Sequence, residues 1–199
     1  MVKVDKYDFS FTAFSLRVND MLKVAEAHHQ GKVLTKAELG DGNSITGKKR
    51  LTEINKRLNA FTEEQYESFL SGDLTSQKQL AFLSVCKAHS FIREFVVEVL
   101  REKVLVFDYE LSEGEYISFY RRKNELHPEM DDLTESTQRG IKQVTFKILE
   151  QAGIIDNTKT KSIQPQLLED QLVDVIASDD KQWLKVLFMS DMDIQNLER

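Results

Sequence analysis

Residues 79–103 read Gln79-Leu-Ala-Phe-Leu-Ser-Val-Cys-Lys-Ala-His-Ser-Phe-Ile-Arg-Glu-Phe-Val-Val-Glu-Val-Leu-Arg-Glu-Lys103, and this stretch decides the fold class. Leu80, Phe82, Leu83 and Val85, then Phe91, Ile92, Phe95, Val96, Val99 and Leu100, put apolar side chains on nearly every face of a helix. A helix that is apolar all round is a buried one. The pattern predicts two consecutive helices, 76–89 and 91–103, opened by Thr75-Ser-Gln-Lys-Gln79 and forming the core that joins the two ends of the chain.

Composition agrees with a helical class. The 199 residues are 41% hydrophobic and 30% charged, enough for one domain of usual size or two small ones. Only 2 Pro and 8 Gly, among stretches rich in Leu, Glu, Lys and Gln, disfavour a sandwich or barrel. The 1 Cys, Cys86, excludes a disulfide framework and a Cys-rich zinc site, and its apolar run predicts a buried thiol. Met1-Val-Lys-Val-Asp-Lys6 lacks the apolar core of a signal peptide, and the longest charge-free runs (Phe9–Leu16, Gln79–Cys86) fall far short of the roughly 20 apolar residues that span a bilayer. The expectation is a cytoplasmic protein with no membrane contact.

Outward from the core, Lys6–Phe14 alternates and predicts a short strand or extended arm, and Ser15 is placed to cap a helix running to about Gln30. A short helix near Thr35–Leu39 and the turn Gly40-Asp-Gly-Asn43 lead into a basic helix, Thr46–Ala60. Thr62-Glu-Glu-Gln65 opens a further helix with a capping-box start. Beyond the core, Val104–Phe107 favours a strand, Ser112–Asn124 a helix, and His127-Pro128 a break. A second basic helix, Glu135–Ala152, ends at Gly153. Ile154-Ile155, the polar turn Asp156–Lys161 and Ser162-Ile163 predict a lysine-tipped hairpin, followed by helices from Gln166 to Ala177, with Pro165 in its first turn, and from about Asp180 to Met189.

The two basic helices are a reversal of sign in a chain whose net charge is -6. Lys48, Lys49, Arg50, Lys56 and Arg57 stand against Glu53 alone in the first. Arg139, Lys142, Lys147, Lys159 and Lys161 stand against Glu150 and Asp156 in and after the second. Lys48, Lys49, Thr52, Lys56 and Asn59 fall opposite the apolar stripe of the first helix, while Ser136, Arg139, Gln143 and Lys147 form one solvent strip on the second. Phosphates reward such local clusters whatever the charge elsewhere. The tail from Pro165 to Arg199 is acidic and reads as a solvated face.

No catalytic constellation emerges. Gly42-Asn-Ser-Ile-Thr-Gly47-Lys48 has the spacing of a phosphate loop and Val104–Asp108 resembles a strand ending in a magnesium ligand, but Lys49 stands where the metal-binding hydroxyl belongs and no apolar strand enters Gly42. Asp191-Met-Asp193 lacks the glycine of a calcium loop. Neighbouring His28 and His29 diverge on a helix, and His89 and His127 have no nucleophile motif beside them. Glu113 with Glu115, and Asp131 with Asp132, sit at helix starts or in loops, where caps are usual. A non-enzymatic protein with no cofactor and no metal is expected.

Ser84-Val-Cys-Lys-Ala-His89 through Lys103, then His127-Pro-Glu129, Leu133-Thr-Glu-Ser-Thr137 and Ile163-Gln-Pro165 resemble the BrxA family of the bacteriophage exclusion (BREX) defence systems. Phe9-Ser-Phe-Thr-Ala13 with Ser15-Leu16 is similar to that family's opening, although Phe14 stands where the family has a small residue, usually Gly. The resemblance implies a small non-enzymatic component of a phage-resistance operon that works beside a methyltransferase and ATPases. It further implies a helical nucleic-acid-binding fold similar to the antitermination factor NusB, with DNA binding as the associated activity.

The combined expectation is a mainly α helical bundle. An N-terminal helix-turn-helix-like region (1–74) precedes the buried central helix pair and a C-terminal winged-helix-like region with one short β-hairpin wing (75–199). Lys48, Lys49, Thr52, Lys56, Asn59, Ser136, Arg139, Gln143, Lys147, Lys159 and Lys161 are the expected contacts to double-stranded DNA. Lysines suit phosphates, whereas Arg139 and Gln143 also suit base edges. The alternatives are a protein-interaction scaffold for other defence subunits and a NusB-like RNA-binding protein.

Overall fold

Leu80 to Cys86 are all buried at the centre of the computed structural model, which describes residues 6–32, 34, 39 and 43–197. They belong to α4, one of nine helices among the described residues: α1 (Val18–His29), α2 (Ser44–Leu58), α3 (Glu63–Ser71), α4 (Leu74–Ala88), α5, α6 (Glu113–Leu126), α7 (Glu135–Ala152), α8 (Asp170–Asp180) and α9 (Asp191–Asn196). α5 begins as Ser90–Phe95, widens to π-helical Val96–Arg101 and closes as Glu102–Leu105. Short 3-10 segments cover Ser10–Ala13, Pro128–Met130 and Lys181–Leu187. α4 packs against α2, α3, α5 and α7, so the most apolar helix is also the most enclosed.

Helix limits follow side-chain chemistry. Asp73 accepts from the Ser76 amide and starts α4; His89, in an extended conformation, separates α4 from α5. Thr62 with Gln65, and Ser112 with Glu115, close capping boxes on α3 and α6. Thr134 caps α7, and Gly153 ends it at φ 74°.

Several expectations are corrected. No strand occurs among the described residues, and the β-hairpin wing is not formed: Ile155 with Ile163, and Glu110 with Ser162, make isolated bridges only. Successive Ile154 and Ile155 are both buried, so the alternation that sustains a half-exposed hairpin is missing. Backbone bonds from Asp156 to Ser162 and from Gln164 to Ile154 flank the first bridge, and side chains close the loop beyond it, with Asn157 Oδ1 accepting from the Lys159 and Thr160 amides and Asp156 Oδ1 from that of Ser162. Val104–Phe107 runs off the end of α5 and forms no strand. The arm has no regular structure over 6–9 and then turns as the 3-10 segment. α1 starts at Val18, after Arg17 at φ 43°. α8 starts at Asp170, because Gln166 turns inward to the carbonyls of Gly153 and Gln164. Much of the Thr35–Asn43 region lies outside the described residues.

One buried polar cluster ties these elements together. Arg57 is fully buried; its guanidinium donates to Glu53 (2.8 Å) and to the carbonyls of Ser15 (2.9 Å) and Phe14 (2.6 Å), and lies 5.2 Å from the Phe14 ring centroid. Glu53 also meets His89 Nε2 at 2.5 Å and accepts from Ser10 Oγ at 2.9 Å, while His89 Nδ1 faces the Asp8 carbonyl at 3.1 Å. Burial raises the Glu53 carboxyl, but His89, Arg57 and Ser10 outweigh it and hold it below the ordinary range. Asp8 is likewise raised by burial, yet Lys56 and Ser10 bring it down to about 2.

Replacing Glu53 with Ala strands Arg57 without its carboxylate and is expected to cost about 3–5 kcal/mol in urea unfolding, the range for a broken buried pair; a loss below about 1 kcal/mol contradicts the cluster's role. The Asp8 contribution is present above its ordinary value near 3.8 and is lost as pH falls through about 2. Asp8→Asn should therefore flatten that acid limb of the stability curve and leave its neutral shape unchanged.

Candidate nucleic-acid interface

The spacing of Ser136, Arg139, Gln143 and Lys147 on α7 leaves all of them exposed, while Ile141, Thr145, Phe146, Ile148, Leu149 and Ala152 are buried on the other faces. After Gly153 the chain reverses through the loop fastened by Asp156 and Asn157, and this reversal returns Lys161 to the flank of α7. Lys161 adopts φ 56° and its ammonium lies 5.7 Å from the Phe146 ring centroid and 3.4 Å from Glu113. It is a half-buried wall residue, not a free tip.

Arg139, Lys142, Gln143, Lys147 and Lys161 converge on one groove of about 670 Å³, with Val144 and Phe146 among its apolar lining and Glu113 its acid. Lys142 pairs with Glu113, and Lys147 with Glu150. Hydrogen bonds from these lysines hold both carboxyls below their ordinary range, so both are charged near neutrality. Four cations against two carboxylates leave the groove basic. Lys142 was not part of the expected strip, although it follows Arg139 by three residues and so neighbours it on the helix. Lys159 is exposed on the loop and Ser136 at the start of α7; neither lines the groove.

The first strip is weaker than its sequence suggests. Lys48, Lys49, Thr52 and Asn59 are exposed, but Lys56 is paired with Asp8 at 2.6 Å and Arg57 is consumed in the core. Arg50 donates to the Leu39 carbonyl. α2 and α7 both pack against the 3-10 turn Ser10–Ala13, yet the groove includes no residue of α2.

In the described part of the phosphate-loop lookalike, residues 43–48, the Asn43 side chain accepts from the Ile45 and Thr46 amides and so occupies donors that a phosphate would need. Asp108 is held by Lys103, Asp191 by Arg101 and Lys185, and Glu115 is a capping residue. Among the described residues no group of three His, Cys, Asp or Glu side chains is placed to hold a metal. No described helix is long and apolar enough to cross a membrane. Cys86 is buried, as expected, and burial pushes its thiol up.

Comparison with known proteins matches residues 5–180 to the BrxA family. A BREX protein BrxA from Bacillus cereus (strain H3081.97) is 25% identical over 185 residues, covering 88% of this chain and 92% of its own. A BREX protein BrxA from Escherichia coli O9:H4 (strain HS) is 22% identical over 119 residues, covering 60% of this chain and 56% of its own. The crystal structure of an uncharacterized protein from Magnetospirillum magneticum superposes with a TM-score of 0.78 over 93% of this chain and 99% of that one, at 15% identity. That likeness extends to the fold.

Asn43→Ala should cost about 1 kcal/mol by removing the α2 cap, and magnesium-ATP should leave the melting temperature of the parent unchanged. A nucleotide-dependent rise in melting temperature that Lys48→Ala abolishes would restore the phosphate-loop reading.

Proposed function

The chain belongs to the BrxA family, and we propose that within a BREX phage-defence system it is a non-enzymatic component that binds duplex DNA. The observation that carries this reading is the convergence of Arg139, Lys142, Lys147 and Lys161 on one groove. Cations held side by side displace counterions from a phosphate backbone, and four of them correspond to a salt slope of about -3 to -4. Arg139 and Gln143, both exposed on α7, supply the geometry for base-edge contact in the major groove. Lys159 adds a phosphate contact from the adjoining loop. Lys48 and Lys49 with Thr52 and Asn59 form a secondary patch, and Lys56 joins it only by releasing Asp8. In this reading no cofactor is needed, and the methyltransferase and ATPases of the system are its protein partners.

A specific feature also favours protein docking. Val106 is 72% exposed and Phe107 82% exposed, beside α5, with Phe107 held at φ 61°. Large exposed apolar side chains at a constrained turn suit a protein contact. The two roles are compatible, since the groove and this turn involve different residues.

Paired reversal of Arg139 and Lys147 to Glu should weaken duplex binding by at least about tenfold at low salt, with circular dichroism unchanged because both residues are exposed. Reversal of Lys49 and Lys56 should cost less. Absence of duplex binding by the parent protein, or binding insensitive to salt, overturns the DNA reading. Co-purification with other system components after nuclease treatment, abolished by Phe107→Asp, is the outcome expected of the docking turn.

A further inference from the structure

A second groove, of about 730 Å³, adjoins the first, with Arg139 and Lys142 lining both. Its volume lies within the roughly 300–1,000 Å³ of small-molecule sites. Its composition differs from its neighbour's. Tyr116, Tyr120, Ile117 and Met130 give it an aromatic and apolar lining. Arg121, Arg139 and Lys142 are balanced by Glu125, Asp131 and Glu135, so the groove carries no surplus of charge. Asn124 and Gln138 each spend an amide N–H internally, on Asp131 and on the Leu133 carbonyl, which leaves their side-chain oxygens as acceptors.

Two tyrosines of this lining bury unpartnered hydroxyls. Tyr116 is 4% exposed and Tyr120 is half-buried, and both hydroxyls are shielded from solvent with no hydrogen-bond partner among the described residues. Buried phenols ordinarily find one. Desolvation raises both groups above their ordinary value, so both stay neutral beneath the groove.

An aromatic, neutral, hydrogen-bonding cleft suits a nucleobase, and the cations it shares with the basic groove suit the phosphate attached to that base. We infer that this second groove receives a nucleobase unstacked from a DNA strand whose backbone lies in the basic groove. The inference rests on the DNA-binding reading and extends it from paired to locally unpaired DNA. An unpaired base has already lost its stacking and pairing, so it enters such a groove at less cost than a base drawn from intact duplex.

Fluorescence anisotropy with two end-labelled oligonucleotides, one fully paired and one identical but for a single bulged adenine, tests this. The parent protein should bind the bulged form about fivefold or more tightly, the size of one base–aromatic contact. Ile117 is 41% exposed in the groove, so Ile117→Trp fills the space without entering the core; it should erase the preference and keep the affinity for paired DNA. Tyr120→Phe retains the ring and should reduce the preference partway. Equal affinity for both oligonucleotides overturns this inference and leaves the duplex reading standing. Binding to neither overturns both. A preference that survives in Ile117→Trp, or free dAMP bound as tightly as bulged DNA, also overturns it.

Discussion

Glu53 has three partners drawn from three parts of the chain: exposed Ser10 on the N-terminal arm, buried Arg57 one turn along α2, and buried His89 at the junction of α4 and α5. Neither a carboxylate nor a guanidinium is tolerable in a core alone, since desolvation costs each several kcal/mol. The cluster is therefore satisfied only when arm, α2 and central helices assemble together. Arg57 extends the constraint by holding the carbonyls of Phe14 and Ser15, and Phe14 lies under that guanidinium. The bulk at position 14 is accommodated by a cation–π contact.

From this anchor the arm reaches the surroundings of α7. The Tyr7 amide donates to Glu129 at 2.8 Å and its ring stacks on His127 at 3.6 Å, just before α7. The Arg17 amide donates to Gln151 near the end of α7 at 3.3 Å. The N-terminal arm thus contacts the segment that precedes α7 and the last turn of α7, while Phe146 packs against Phe95 and Tyr116. α7 is thus braced from its buried side beneath the cations it displays, the support that the proposed site requires.

Much of this was legible from residue patterns. The apolar run from Leu80 to Leu100 identified the core because it has no polar face, and the spacing of Arg139, Gln143 and Lys147 identified an exposed strip because its opposite face is apolar. What escaped notice depends on contacts distant in sequence. Arg57 reads as one more surface cation until Phe14, Ser15 and Glu53 enclose it, and Lys56 reads as free until Asp8 arrives from 48 residues away. The expected wing failed because Ile154 and Ile155 are both buried and the loop satisfies itself through Asp156 and Asn157, a tertiary outcome that short β-favouring runs do not reveal. Lys161 consequently lies against Phe146 and Glu113, which turns a supposed wing tip into a wall of the groove.

The claim that the α7 groove is the DNA-binding surface is tested most directly by lysine footprinting: limited acetylation of the intact protein with and without duplex DNA, read by mass spectrometry. DNA should protect Lys142, Lys147 and Lys161 while Lys78 and Lys181, away from the groove, react at unchanged rates. Protection confined to other lysines, or no change at these three under conditions where DNA is bound, would contradict it.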